Sequence, residues 1–249
     1  MKLEFISPVR TLQIEIANII NSRFEISLAP SEVLIDVCYP KYDAHYTSAI
    51  ALAIANRLNK NPLNKNPLAI AEEICLPKIS SQWQIAAFGK GWLNIFLSEQ
   101  YLAESLSALN LFALNIWQPD ISDMFINSVG ESPEPTMQYA YARCCALIRL
   151  ANRSINFLIT DIVWDCIEPA EISLLIQQLA IADLLESNAH LDKAKLSRSL
   201  ATIFLQFYDR CRIFGVMPEI ACRRLLLIRV TQKLLLAIAP LGINYAIYL

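Results

Sequence analysis

The sequence is poor in glycine and histidine and lacks long apolar stretches, and each shortage argues against a class of function. Only five of 249 residues are glycine, and no Gly-rich phosphate-binding loop occurs. The only two histidines, His45 and His190, stand in no catalytic or metal-binding motif. The longest apolar stretches fall short of 18 uninterrupted residues, which argues against a membrane span. The first ten residues, MKLEFISPVR, lack the layout of a secretory signal.

The seven cysteines include no C-x-x-C pair, and their number is odd. This pattern disfavours both a zinc site and a disulfide framework. Cysteines scattered among apolar residues usually behave as small buried hydrophobes. We therefore expect a cytoplasmic protein, in a reducing compartment, that needs no metal or other cofactor.

The composition is 55% hydrophobic and 18% charged, which supplies a substantial core and leaves apolar surface for a partner. The net charge of −2 hides an asymmetry. Residues 190–249 carry nine Lys/Arg against three Asp/Glu, whereas residues 1–189 carry twelve against twenty. Two interpretations stand: the basic end orients on a phosphate backbone, or it simply solvates the outer face of the last helices.

The first hundred residues predict a small α+β unit. The segment NKNPL occurs twice in tandem, at 59–63 and 64–68, and its second copy places Asn66 as a cap and Pro67 in the first turn of a helix. A turn at Gly89–Gly91 separates two strands within residues 83–98. The other predicted elements are helices over 11–20, 45–60 and 99–109, and a strand over 31–40.

The rest of the chain predicts a linker followed by helices. Three prolines and several acidic residues between Trp117 and Thr136 are typical of a linker. We predict a mostly helical protein: a small α+β domain over residues 1–110, a linker over 111–136 and an all-α bundle over 137–249. The predicted helices of the bundle cover residues 136–153, 169–188, 194–214 and 218–239.

Three segments of the predicted bundle carry a family resemblance. QYAYARCCALIR (138–149), FLQFYDRCRIFG (204–215) and EIACRRLLLIRVTQKLL (219–235) occur in this order. Their order and spacing resemble the DALR anticodon-binding domain of arginyl-tRNA synthetases. The residues that match the family signatures are Gln138, Tyr139, Ala140, Ala142, Arg143, Phe207, Tyr208, Cys211, Arg212, Arg224, Leu225 and Leu227.

The first hundred residues resemble the tRNA-elbow-binding domain that begins the same synthetases. HYTSAIALAIANRLNKNP, NPLAIAEEI and GKGWLNIFLS carry this likeness. The chain has Ala44-His45-Tyr46 where the family tends to have Gly-Asp-Tyr. It has Gly89-Lys90-Gly91-Trp92 where the family tends to have Gly-Pro-Gly-Phe.

The interval between the two resemblances implies a protein that is not an enzyme. In the synthetases a large nucleotide-binding catalytic domain separates these parts. Here the interval from Ser98 to Met137 holds about forty residues. Because a single βαβ unit already takes about 30 residues, a whole nucleotide-binding domain does not fit in this interval. We therefore expect no activation of arginine by this chain alone.

Other candidate chemistry is weaker than the resemblance. If helical, Asp161, Asp165 and Glu168 would share one face, as a metal site or an acid–base pair requires. Pro169 interrupts that helix, so a solvated acidic edge is favoured. Cys144 and Cys145 lie on a helix expected to be buried, with no histidine nearby in sequence. His45 is expected to be a cap or a surface residue at a helix start. The acidic cluster consists of Asp161, Asp165, Glu168 and Glu171.

The candidates for RNA binding combine aromatic and basic side chains. Tyr139 and Arg143 are four residues apart on one helix face, and such a pair offers a ring for a base and a cation for a phosphate. The resemblance implies that the bundle faces the anticodon loop and that Trp92 and Asn94 touch the D-loop of tRNA. As alternatives, Tyr139 and Tyr208 are core residues, and Arg143 and Arg212 pair with Asp165 or Asp209. The expected RNA-binding residues are Trp92, Asn94, Gln138, Tyr139, Arg143, Phe207, Tyr208, Arg210, Arg212 and Arg229.

Together these patterns predict a non-catalytic arginyl-tRNA synthetase paralogue that binds tRNA or a tRNA-like RNA as an accessory or regulatory factor. The alternative is a scaffold or homodimeric module that reuses the two domains without binding RNA. The low charged fraction and the apolar end LGINYAIYL (241–249) favour that alternative, with a protein partner or a second copy at this end. No membrane partner is expected.

Overall fold

A computed structural model describes most of the chain. The described residues are 7–38, 44–58, 66–77, 80–116, 134–154, 167–187, 191–240 and 245–247. Two compact units are present, Ile6–Leu102 and Ala103–Leu249. The boundaries predicted for the domains and the linker remain predictions, since residues 117–133 lie outside the described residues.

The first unit begins with helix α1 (Pro8–Phe24), which is longer than the predicted 11–20. Its N-terminus has a side-chain cap: the backbone N–H of Arg10 donates to Ser7 Oγ at 3.2 Å. Pro8 occupies the first turn, where no N–H is needed. The helix ends at Glu25, whose φ of 52° is left-handed. The residues that it buries recur every three to four positions: Leu12, Ile16, Ile20 and Phe24.

A four-stranded antiparallel sheet organises this unit, with the strand order β1-β2-β4-β3. Strand β4 alternates: Leu93, Ile95 and Leu97 are buried against the helices, while Trp92 faces the other way and is exposed. The strands are β1 (Asp36–Val37), β2 (Tyr46–Ser48), β3 (Trp83–Phe88) and β4 (Trp92–Leu97).

The predicted hairpin around Gly89–Gly91 is confirmed. Gly91 has a φ of +114°, and a Cβ there would lie 2.8 Å from the carbonyl carbon of Pro67. The turn therefore packs directly on the start of helix α3 (Pro67–Cys75). The predicted cap of α3 is also confirmed, because Asn66 Oδ1 accepts from the N–H of Leu68 at 3.1 Å.

Two predicted elements of the first unit need correction. The strand expected over 31–40 is reduced to β1, since residues Pro30–Glu32 form a 3-10 turn. Pro30 fixes φ there, and the carboxylate of Glu32 folds back to accept from the N–H of Ala29 at 2.8 Å. The helix expected over 45–60 is instead strand β2 followed by helix α2 (Ile50–Leu58), with residues 59 and 60 outside the described part.

Helix α4 (Glu99–Ile116) extends seven residues beyond its predicted end at residue 109. Ser98 begins it, with its side-chain oxygen accepting from the N–H of Tyr101 at 3.2 Å. None of the described helices is both long and apolar enough to cross a lipid bilayer.

The second unit is the predicted helical bundle. The caps follow from the sequence: Pro169 and Pro218 stand in first turns, and Asp192 Oδ1 accepts from the N–H of Lys195 at 3.0 Å. The small α+β domain followed by an all-α bundle is therefore the observed fold class. The bundle helices are α5 (Pro135–Ser154), α6 (Pro169–Glu186), α7 (Lys193–Arg210) and α8 (Pro218–Ala237).

The third bundle helix ends earlier than predicted, at Arg210 rather than residue 214. Cys211 is extended, with φ −106° and ψ 111°. The carbonyl oxygen of Arg212 accepts a hydrogen bond from the guanidinium of Arg224 on α8. This contact holds the α7–α8 turn to the core, and Gly215, with a φ of +74°, completes it.

Candidate nucleic-acid interface

An arginine lies between two tyrosines on the surface where α5 meets α7. The Nε–H of Arg143 donates to the hydroxyl of Tyr139 at 2.9 Å. Its guanidinium carbon lies 5.0 Å from the ring centroid of Tyr139 and 5.6 Å from that of Tyr208. All three side chains are partly exposed. The tyrosine–arginine pair expected on one face of α5 is thus present, and a tyrosine of α7 completes the cluster.

The core of the bundle supports this aromatic–cation cluster, which consists of Tyr139, Arg143 and Tyr208. The ring of Tyr208 packs against Phe204, with the centroids 6.4 Å apart, and Phe204 is buried. The hydrogen bond to Tyr139 raises the pKa of Arg143, whose guanidinium is charged in any case. A fixed cation between two rings can pair with a phosphate, while the ring edges and faces remain for a base.

Two exposed arginines follow the cluster at the end of α7. Arg210 is the last residue of the helix, and Arg212 lies just beyond it. The bond from Arg224 to the carbonyl oxygen of Arg212 fixes the backbone that presents the Arg212 side chain. The alternative pairing of Arg212 or Arg143 with Asp165 lies outside the described residues.

Phe207, which the sequence placed among the RNA-binding residues, belongs to the core. Its side chain is fully buried, with its ring centroid 6.2 Å from that of Phe204. Neighbouring residues on a helix are about 100° apart, so Phe207 and Tyr208 face different ways. Phe207 therefore supports Tyr208 and does not itself reach the surface.

Two other expected RNA-binding residues already have partners within the chain. The side-chain amide of Gln138 donates to the carbonyl oxygen of Ala246 at 2.7 Å and accepts from its N–H at 3.0 Å. Arg229 on α8 donates to Asn152 Oδ1 at 3.3 Å. Arg223, on the same helix, is buried and offers no charge to the surface.

The expected residues of the first unit, Trp92 and Asn94, lie on the sheet face that points away from the helices. Trp92 is 41% exposed and stands opposite Phe88, which is 47% exposed. Asn94 is buried and stands between Thr47 and Ala86 on the neighbouring strands. These side chains border a depression of about 630 Å³, whose full lining is Asp36, Val37, Cys38, Thr47, Phe88, Trp92 and Asn94.

The acidic cluster is not the solvated edge that the sequence favoured, at least at its last member. Glu171 is fully buried, and its carboxylate accepts from Arg223 at 3.0 and 3.2 Å and from Arg224 at 3.2 Å. Burial alone would raise the pKa of Glu171, but the hydrogen bonds from Arg223 and Arg224 and from the Glu168 N–H hold the pKa below its ordinary value. Asp161 and Asp165 lie outside the described residues.

Sequence reasoning missed this ion triad (Glu171, Arg223 and Arg224). The adjacent arginines near the start of α8 were the available signal, because two consecutive cations within an apolar helix need a buried anion. Of the two, Arg224 links the triad to the turn that carries Arg212. The triad is thus the support of the basic end of α7.

His45 lies just before β2 and hydrogen-bonds to β4, so it is not the cap or surface residue that was expected. Its Nδ1 accepts from the N–H of Leu97 at 2.7 Å, and its own N–H donates to the carbonyl oxygen of Ile95 at 2.9 Å. Burial lowers the pKa of the imidazole. The second histidine, His190, lies outside the described residues.

Burial raises the thiol pKa of four cysteines, which disfavours a reactive thiolate at Cys75, Cys144, Cys211 and Cys222. Cys144 is fully buried, and burial raises the pKa of its thiol. Burial also raises the pKa of Cys211 to about 11, with Glu171 adding to the shift. Within the described ranges, no group of three or more His, Cys, Asp or Glu side chains is placed to hold a metal ion.

Comparison with protein families finds two matches, one in each unit. Residues 10–97 match the arginyl tRNA synthetase N terminal domain, and residues 137–246 match the DALR anticodon binding domain. The cluster of Tyr139, Arg143 and Tyr208 lies within the second match, and Trp92 lies within the first.

Curated relatives give the same result. An arginine–tRNA ligase of Saccharophagus degradans is 32% identical over 167 residues, which is 61% of this chain and 28% of that protein. The arginine–tRNA ligase of Pelodictyon phaeoclathratiforme is 32% identical over 114 residues, 42% of this chain and 21% of that protein. The one from Moorella thermoacetica is 31% identical over 120 residues, 44% and 21% respectively.

The matched parts of the chain thus span between about a fifth and somewhat over a quarter of the length of these relatives. The two matched domains are the N-terminal and the anticodon-binding domain, and they are consecutive here, separated by residues 98–136. The chain is therefore an arginyl-tRNA synthetase-like protein that joins the N-terminal domain of that family to its DALR domain.

Proposed function

We propose that this protein binds tRNA, or an RNA shaped like tRNA, with both of its units and acts as a non-catalytic accessory or regulatory factor. The observation that carries the proposal is the guanidinium of Arg143 held between Tyr139 and Tyr208 on a domain that matches an anticodon-binding family. Single-stranded RNA is recognised by this combination of rings and fixed cations.

In the second unit, the proposed contact surface runs from the aromatic–cation cluster to the end of α7. Arg210 and Arg212 are exposed there and add two positive charges. Arg224 holds the backbone of Arg212. Binding RNA there therefore costs less conformational entropy, because this backbone is already ordered in the free protein. Phe207 contributes indirectly, as a core residue beneath the surface.

In the first unit, the proposed contact is the depression beside Trp92. The exposed rings of Trp92 and Phe88 offer stacking faces, and Thr47 and Asn94 offer polar groups at its floor. Asp36 is the charged member of this lining. An anion there disfavours a phosphate, so the depression is suited to an unstacked base or a ribose.

The non-catalytic part of the proposal is supported by the interval between the two matched domains. Residues 98–136 separate them, and α4 takes up Glu99–Ile116 as one continuous helix. What is left before α5 begins at Pro135 is shorter than the roughly 30 residues of a single βαβ unit. Such an interval has no room for a nucleotide-binding domain.

We further propose that the protein works in the cytoplasm. Among the described cysteines none is joined to another by a disulfide, although six of the seven lie in that part of the chain. A reducing compartment suits such cysteines. A tRNA partner would be met in the same compartment.

Measurement of tRNA affinity by filter binding tests the proposal. Arg210→Glu together with Arg212→Glu should weaken binding by at least tenfold and flatten its dependence on salt, because two phosphate contacts are lost. The matched control is Lys193→Glu with Lys195→Glu, which makes the same charge change at the opposite end of α7. Equal affinity of the two double variants would count against the proposed surface.

A substitution at the cluster separates charge from geometry. Arg143→Lys keeps the positive charge but loses the planar group that lies between the two rings. We expect it to weaken tRNA binding several-fold while the salt dependence stays close to that of the parent. Absence of tRNA binding by the folded parent protein at micromolar concentration and low salt would overturn the proposed function.

The alternative, a protein scaffold or homodimer built on the apolar end, has less support. Residues 245–247 of that end contact α5 of their own chain, where the backbone of Ala246 forms two hydrogen bonds with the Gln138 side chain. Sedimentation velocity distinguishes the two cases. A constitutive dimer without RNA would favour the scaffold, and a monomer that sediments with tRNA would favour RNA binding.

A further inference from the structure

The segment Tyr245–Ile247 lies on α5 at one border of the proposed RNA surface. Both polar groups of the Gln138 side chain are used by one residue of this segment. Gln138 Nε2 donates to the carbonyl oxygen of Ala246 at 2.7 Å, and Gln138 Oε1 accepts from its N–H at 3.0 Å. Ala246 itself is exposed, so the two hydrogen bonds form at the surface and not in the core.

Two further contacts hold the same segment. The ring of Tyr245 stacks on that of Tyr141, with the centroids 4.9 Å apart and the planes inclined by 29°. Arg149 Nη1 lies 3.5 Å from the carbonyl oxygen of Ile247, the outer limit of a hydrogen bond. Gln138, Tyr141 and Arg149 are spaced by three and then eight positions along α5, so they lie on one side of that helix.

These contacts have the chemistry by which a protein binds an unpaired base. A glutamine amide reads a base edge that has a donor beside an acceptor, and the N–H and carbonyl groups of Ala246 present such a pair. An aromatic ring stacks on a base as Tyr141 stacks on Tyr245. An arginine such as Arg149 pairs with a phosphate.

The occupied groups lie on the side of α5 next to the aromatic–cation cluster. Gln138 immediately precedes Tyr139, whose hydroxyl accepts from Arg143, so the two side chains leave the helix about 100° apart. A nucleotide chain that runs from the cluster around this side of α5 would meet Gln138. As the fold stands, that amide is already satisfied by Ala246.

We propose that residues 245–247 act as an internal competitor, occupying a nucleotide subsite formed by Gln138, Tyr141 and Arg149 until RNA displaces them. The inference rests on the proposed function, because it assigns a regulation to the same surface. Binding to a site that is free in only a fraction of the molecules weakens the apparent affinity by that fraction. A segment docked in nine molecules out of ten would weaken it about tenfold.

The test uses the full chain with Tyr245→Ala and Ala246→Pro combined. The first change removes the stacked ring, and the second removes the N–H that Gln138 accepts from. The control is Ile247→Ala, because the Ile247 side chain is exposed and its contact with Arg149 uses the backbone. Circular dichroism checks that both variants keep their helices.

Two measurements are made: tRNA affinity of all three proteins, and hydrogen–deuterium exchange of the peptide that contains Ala246 in the parent and the control. We expect the double variant to bind tRNA about tenfold more tightly than the parent and the control. In the parent, tRNA should accelerate exchange of the Ala246 amide, because its acceptor on Gln138 is taken by RNA.

The remaining outcomes separate this inference from the proposed function. If the parent binds tRNA but the double variant binds equally or more weakly, with the exchange of Ala246 unchanged by RNA, the competitor is excluded and tRNA binding stands. If tRNA binds only after the segment is released, both ideas are supported. If no folded variant binds tRNA, the proposed function fails and takes the inference with it.

Discussion

Glu171 and Arg223 form a fully buried ion pair, in which two guanidinium nitrogens lie 3.0 and 3.2 Å from the two carboxylate oxygens. A second arginine, Arg224, binds the same carboxylate and also the carbonyl oxygen of Arg212. The pair therefore connects the core of the bundle to the turn that carries an exposed arginine of the proposed RNA surface. Its geometry makes the stability of the bundle depend on one carboxylate.

Glu171→Gln should destabilise the bundle by about 3–5 kcal/mol at neutral pH, because two buried cations lose their anion. Urea unfolding followed by circular dichroism measures the change. The control is Arg198→Gln, which removes an exposed pair with Glu134 at 2.7 Å and should cost at most about 1 kcal/mol. Similar losses from the two variants would contradict the buried role.

The same carboxylate gives a defined pH dependence. The folded-state pKa of Glu171 is lowered, so its contribution is present above the unfolded value near 4.5 and is lost as the pH falls through the folded pKa. The difference in stability between the parent and Glu171→Gln should therefore shrink as the pH is lowered from about 5. A difference that stays constant down to pH 3 would show that the carboxylate does not titrate in this range.

His45 predicts a second pH dependence of stability, closer to neutral pH. Its pKa is lowered by burial, so below about pH 6.5 the unfolded chain takes up a proton that His45 in the folded protein does not. Stability of the first unit should fall as the pH falls through this range. His45→Asn offers an oxygen in place of Nδ1 for the Leu97 N–H and should remove the slope. Tryptophan fluorescence during urea unfolding at pH 7.5 and 5.5 measures it, with His190→Asn as the control that keeps the slope.

The two glycines of the hairpin should respond differently to substitution. Gly91→Ala forces a Cβ to within 2.8 Å of Pro67 at a φ of +114°, and we expect a loss of about 1–3 kcal/mol. Gly89, at φ +58° with open space around it, should accept asparagine at a cost of about 1 kcal/mol or less. Urea unfolding of the two variants gives the comparison, and a larger loss at Gly89 would contradict it.

The two proposed RNA surfaces should be separable with a truncated ligand. Trp92→Ala is expected to weaken binding of whole tRNA about tenfold, the effect of one lost stacking contact, and to leave binding of an isolated anticodon stem-loop unchanged. Arg143→Ala should weaken both. Fluorescence anisotropy with the two labelled RNAs measures the four affinities. An equal loss of stem-loop binding in Trp92→Ala would show that the first unit has no separate contact.

Elements that local chemistry specifies are those that the sequence predicted best. The helix start at Asn66–Pro67 and the hairpin at Gly89–Gly91 depend on neighbouring residues alone, and both are observed. The bundle helices likewise follow from their period of apolar residues and from prolines such as Pro169. The strand expected over 31–40 was reduced to β1, because a proline and a hydrogen bond that the Glu32 side chain accepts from the Ala29 N–H outweighed its alternating pattern.

The candidate site was predictable only where its members share a helix. Tyr139 and Arg143 are four residues apart, so their contact follows from the helix period. The approach of Tyr208, the burial of Phe207 and the use of Gln138 by Ala246 depend on how distant segments pack. The spacing of residues along the chain does not determine the distances between residues of different segments.

By itself, the sequence determined most of the helices, the cap at Asn66, the α+β and all-α division of the fold, and the likeness to two domains of arginyl-tRNA synthetases. These depend on local periodicity and on ordered motifs, which a linear chain displays directly. The tertiary structure alone decided that Glu171 is a buried counter-ion, that His45 accepts a hydrogen bond from strand β4, and that Gln138 already has a hydrogen-bond partner from its own chain. Such roles arise from desolvation and from contacts between residues far apart in sequence, which exist only once the helices and strands have packed.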